Sequence, residues 1–200
     1  MSASATEEIA STAARLVVDE GMEYAQAKRK AARQLAGRLP RGRAELPSNE
    51  QVEDEVRSHL ALFCADTQPA ELRALRELAL RWMQRLAVFR PHLGGAVWRG
   101  TATRLSAIHL DLYCDDPKAT EIELINQGID YDQAGDDGDA AVHYLSLSDR
   151  CPALGEPVTL FLAVRDLDDQ RGALRPDARG RSWRGDAAAL RRLLAENAPA

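Results

Sequence analysis

His109 and Asp111 stand two residues apart in a segment, residues 108–114, that alternates as a β-strand. Ile108, Leu110, Leu112 and Cys114 fall on one face, and His109, Asp111 and Tyr113 on the other. That parity excludes a zinc site built from His109 and Cys114, which point apart. His143 and Cys151 are separated by an expected turn and could approach, but two ligands do not complete a zinc site. Carboxylates crowd residues 133–140, which contain GDDGD, without the spacing of an EF-hand, so a solvated turn is expected there rather than a calcium loop. Lys28, Arg29, Lys30 and Arg33, followed by Arg38, Arg41 and Arg43, form the main basic feature. It reads as a solvated helix face or as a contact for RNA, protein or triphosphate. The arginines of residues 171–184 (RGALRPDARGRSWR) offer a similar choice between a loop and an anion contact. The chain has no Gly-x-Ser-x-Gly elbow, P-loop or Gly-x-Gly-x-x-Gly turn.

The elements that must position these residues change period partway along the chain. Ile9, Ala13, Leu16 and Val17 recur at helical spacing before Gly21, and a second helix is expected from Tyr24 to Ala36. Residues 38–48, with two prolines and a glycine, read as a loop. Ser48 or Asn49 caps a third helix carrying Val52, Val56, Leu60 and Phe63 on one face. A fourth starts near Pro69, with Leu72, Leu75, Ala79, Trp82, Leu86 and Phe89 as an apolar stripe. After Pro91 come a short lead-in around Gly94, the strand already described, and a helix opened by Asp116-Pro117 and closed before Gly128. Strands over residues 142–147 and 158–164 follow, and a last helix capped by Asp186 bears Leu190, Leu193 and Leu194. Residues 1–91 are thus expected as a helical region and residues 92–200 as an α/β domain.

A net charge of -5 argues against a general nucleic-acid coat. Three widely spaced cysteines without a CxxC pair suit neither a disulfide framework nor a zinc ribbon, and fit a reducing compartment. The opening MSASATEEIAS lacks a basic segment followed by an apolar one, and the best apolar run, residues 159–164, is far too short to span a bilayer. A cytoplasmic protein with no membrane partner is expected.

Residues 93–116, LGGAVWRGTATRLSAIHLDLYCDD, resemble the signature of the nucleotidyltransferase superfamily related to DNA polymerase beta. In that family a hydrophobic residue and a Gly-Gly or Gly-Ser pair precede, by about ten residues, an acidic-hydrophobic-acidic triplet on a strand. Many small members have a segment running Arg-Gly-x-Ala-Thr-x-x-Ser-Asp-Ile-Asp-Leu. Here Arg99, Gly100, Ala102, Thr103, Ser106, Ile108 and Leu110 fall on the matching places without a gap, and Leu93-Gly94-Gly95 lies upstream.

The resemblance implies an α+β fold, with a helical N-terminal bundle packed on a small mixed β-sheet of nucleotidyltransferase type. It implies transfer of a nucleoside monophosphate from an NTP to an acceptor, supported by Mg2+ or Mn2+. Such chemistry rests on positioning and on neutralising triphosphate charge. On that pattern Gly94, Gly95, Gly100 and Thr101 cradle phosphates, Arg99 or Arg104 steadies their charge, and Ser106 joins the nucleotide site. In the gapless register, however, the two acidic places hold Ala107 and His109. Alanine cannot bind a metal, and imidazole is a softer ligand than magnesium favours. A register shifted by two places makes His109 and Asp111 the catalytic, metal-holding pair, with Asp149 as the nearest third ligand. The missing carboxylate at Ala107 admits an alternative: a degenerate member acting as a nucleotide-binding or protein-interaction module.

Overall fold

The computed structural model describes residues 4–36, 45–134, 142–176 and 180–196. Among these the protein is mixed α+β, with seven α-helices and a six-stranded mixed sheet. The chain divides into two compact units, residues 1–69 with 101–106, and residues 70–100 with 107–200. The expected boundary at residue 91 therefore falls inside the second unit. Among the described residues no helix is long and apolar enough to cross a membrane.

The first unit is built on three helices. α1 (Ala5–Glu20) opens with a capping box in which the Ser4 hydroxyl accepts the Glu7 N–H and the Glu7 carboxylate accepts the Ser4 N–H. It ends at Gly21 in the left-handed region, φ 67°, where a Cβ would also lie 2.7 Å from the Leu105 carbonyl oxygen. Glycine is required there on both counts. α2 (Tyr24–Leu35) presents Ala27 and Ala31, and α3 (Asn49–Phe63), capped by Ser48 through a second box with Gln51, presents Val52, Val56 and Leu60. These residues enclose a core with Ile9, Ala13, Leu16 and Val17 of α1. Phe63, expected on the same face, is 72% exposed; it lies in the last turn and leans on the His59 ring instead.

The fourth helix, α4 (Gln68–Arg85), supplies its stripe of Leu75, Ala79 and Trp82 to the second unit, as Leu86 and Phe89 do beyond it. There follow β1 (His92–Gly94), α5 (Gly95–Arg99), β2 (Ile108–Tyr113), α6 (Pro117–Asn126), β3 (Asp132–Gln133), β4 (His143–Cys151), β5 (Glu156–Arg165), β6 (Gly185–Asp186) and α7 (Ala187–Glu196). The Asp116 carboxylate accepts the Lys118 N–H and Pro117 occupies the first turn, so α6 starts where its sequence specifies. At the head of α7 the Asp186 carboxylate accepts the Ala189 N–H. The two-residue edge strands β3 and β6, the helix α5, and the extension of β4 to Cys151 were not marked by periodicity, which needs longer runs to register.

The sheet order is β3-β4-β5-β2-β1-β6, with β2 and β5 parallel and the other pairs antiparallel. Register assigns two faces. Leu93, Ile108, Leu110, Leu112, Leu160, Leu162, Val164, Leu145 and Leu147 share one, and all are buried. Helices belong to this apolar face, since the α4 indole of Trp82 donates to Asp149, the register partner of Val158. The opposite, polar face carries His92, Gly94, His109, Asp111, Tyr113, Phe161, Ala163, Arg165 and Tyr144.

Candidate functional site

Gly94 and Gly95 link β1 to α5. Gly95 takes φ 65°, and a Cβ on it would lie 3.2 Å from Cδ2 of His109, so the turn and its approach to β2 both favour glycine. Gly94 is less constrained: a Cβ would meet the Arg184 side chain at an ordinary 3.7 Å. That contact brings the segment before β6 over the glycine turn. His109 stacks on Phe161, its register partner on β5, with ring centres 5.2 Å apart.

Asp111 lies at the centre of this face and is 7% exposed. Its Oδ1 accepts from Nε of Arg165 at 2.7 Å, and its Oδ2 accepts from Nε of Arg184. Both oxygens of one carboxylate are thus held by guanidinium groups. Burial works against the charge on Arg165, but the hydrogen bond and charge of Asp111 more than offset it and raise its pKa above the usual guanidinium value. Tyr113, the next residue along the same face, has its pKa raised, first by burial and then by the Asp111 charge. Its ring meets His92 edge-on, with centres 5.2 Å apart.

These surroundings do not fit a divalent ion. A cation approaching Asp111 would have to displace two cations already bound to it. Asp149, expected as a third ligand, lies on the apolar face of the sheet, where its carboxylate accepts from Trp82 at 2.8 Å and from the Arg150 N–H. It cannot share an ion with His109 and Asp111 on the polar face. Among the described residues no group of three or more His, Cys, Asp or Glu is placed to hold a metal ion. His143 and Cys151 both lie on β4, eight residues and about 26 Å apart, so they do not approach. His143 is 3.1 Å from Glu121 instead. Cys64, Cys114 and Cys151 form no disulfide. The GDDGD segment, residues 135–139, lies outside the described residues.

The remaining motif residues have other contacts. Arg99 lies over the Trp183 ring, 3.7 Å from its centroid. Gly100 caps α5 in the left-handed region, φ 83°. Beneath it the buried Arg76 donates to the carbonyls of Val97 and Trp98 at 3.1 and 3.2 Å, and burial pushes its pKa down. Thr101, Arg104 and Ser106 belong to the first unit, where the Ala102 carbonyl accepts from Gln68 and the Thr103 N–H donates to Ser106 Oγ. Thr101 is buried with its hydroxyl 3.5 Å from that of Tyr24, and Arg104 is exposed.

Of the basic run, Lys28 donates to Pro47 and Asn49, and Lys30 pairs with Glu20 at 2.5 Å. Arg29 and Arg33 are exposed, and residues 38–43 lie outside the described residues. The structure therefore gathers Gly94, Gly95, His109 and Asp111, and adds Arg165 and Arg184, which sequence reasoning did not single out. Arg184 stood inside the arginine-rich stretch; Arg165 had no signal beyond closing an apolar strand. Comparison with family models, with curated proteins and with solved structures finds no match to the chain.

Proposed function

We propose that this is a protein of nucleotidyltransferase type that has given up metal-dependent transfer and keeps the polar face of its sheet as a nucleotide-binding surface. The observation that carries the reading is the capture of both Asp111 oxygens by Arg165 and Arg184. In the shifted register Asp111 is the carboxylate on which a metal would depend, and two guanidinium groups supply positive charge in its place. The passage from β1 through the Gly94-Gly95 turn and α5 to β2 supports the likeness in type, because it brings the glycines against His109. Gly94, Gly95, His109 and Asp111 are the residues of the expected site that share this surface.

The test is a transfer assay with each of the four NTPs and Mg2+ or Mn2+, reading pyrophosphate release. The expected result is no turnover above the rate without protein. Metal-dependent release that disappears in Asp111→Asn would sink the reading and restore an active transferase.

A further inference from the structure

We infer that Arg165 and Arg184 form a clamp for a phosphoanhydride chain that carries no metal ion. The inference rests on the proposed nucleotide-binding surface and names what that surface recognises.

The clamp follows from how each guanidinium is held. Each is tied to Asp111 through Nε alone, and the terminal Nη groups have no hydrogen-bond acceptor among the described residues. The two side chains are 23% and 32% exposed, against 10% for the carboxylate between them. Asp111 fixes the two forks in place and cancels one of their two charges, leaving the cluster with a net single positive charge. Guanidinium forks pair with phosphate oxygens through parallel N–H donors, and a fork already immobilised loses little freedom on binding.

The shape of the face agrees. Ala163 is the register partner of both Asp111 and Tyr144, so a small side chain forms the floor between them. Arg165 borders that floor on one side, and the stacked His109 and Phe161 rings border it on the other. A nucleotide can set its triphosphate on the forks and its base against the rings. An inorganic polyphosphate would use the forks alone.

Magnesium then acts as a competitor, since it neutralises the oxygens that the forks need and the Asp111 carboxylate is already held by both forks. The experiment is calorimetric titration of the full chain with each NTP in EDTA, the same with excess Mg2+, and with inorganic tripolyphosphate and adenosine. Binding in EDTA that weakens about tenfold or more with Mg2+ is the expected result. Tripolyphosphate bound as tightly as any nucleotide supports the clamp and removes the nucleotide from it.

Arg165→Lys and Arg184→Lys separate a ligand role from a structural one. Each keeps a positive charge for Asp111, but a single amine spent on the carboxylate has no second edge to offer. Each should keep the melting transition and weaken binding about tenfold or more. Unchanged affinity in both variants, or binding that requires Mg2+ or Mn2+, overturns the inference. No binding of any phosphate overturns it too, while an absence of turnover in the transfer assay still leaves the degenerate-transferase reading in place.

Discussion

The second unit ties down arginine in two places, and the difference between them separates a structural cation from one available to a ligand. Arg76 is 6% exposed and spends its guanidinium on the backbone carbonyls that end α5, so its donors are turned inward. Arg165 and Arg184 each spend Nε on Asp111 and stay 23% and 32% exposed. The same contrast divides the two faces of the sheet. On the apolar face, stability comes from area removed from water and from close packing. On the polar face, a small charged cluster holds itself together and leaves Nη donors without an acceptor among the described residues. A protein selected for stability alone gains little from the second arrangement, because well-packed apolar side chains often replace desolvated ion pairs without loss.

The first way to break the comparison is Leu162→Ala. Leu162 is fully buried on the apolar face, between Leu110 and Leu145 in register, so the change leaves a cavity. The expected loss is about 3–4 kcal/mol, read from denaturant unfolding and nearly independent of salt. Asp111→Asn should cost about 3 kcal/mol for a different reason: it leaves two neighbouring guanidinium groups without their counter-charge. Its deficit should shrink in 1 M salt, where added anions screen the two cations. Equal salt response in the two variants would show that Asp111 acts by packing rather than by charge.

The sequence discloses one side of this contrast far better than the other. A strand displays both faces in its own alternation, so β2 was legible with its correct division, and the caps at Ser48, Asp116 and Asp186 marked helix starts through local chemistry. Arg165 and Arg184 lie 54 and 73 residues from Asp111, and only the pairing of β2 with β5 and of β1 with β6 brings them in. Parity within β4 likewise could not tell that Asp149 faces away from Asp111, because parity carries across strands only once register is known. The stripe on α4 announced a buried helix without naming the surface that buries it, and all of that helix beyond Pro69 falls in the second unit. The motif stretch itself proved mixed, with Gly95 at the site and Gly100 and Thr101 committed to caps and packing.

The smallest expected effect concerns Tyr113, which shares the polar face with Asp111 yet is only 2% exposed. Burial and then the Asp111 charge raise its pKa above the ordinary value of 10.0, against the opposing pull of Arg184 and Arg165. Because the folded pKa lies above the unfolded one, the contribution to stability is complete below about pH 10 and is lost as pH rises further. In that window the unfolded chain releases the phenol proton first and draws the equilibrium toward itself, with a slope of at most about 1.4 kcal/mol per pH unit for one proton. Tyr113→Phe removes the proton without emptying the site, so its stability should fall less steeply than that of the parent above pH 10 and track it below. Parallel curves across the whole range would mean that neither burial nor the Asp111 charge raises the pKa of this phenol in the folded chain.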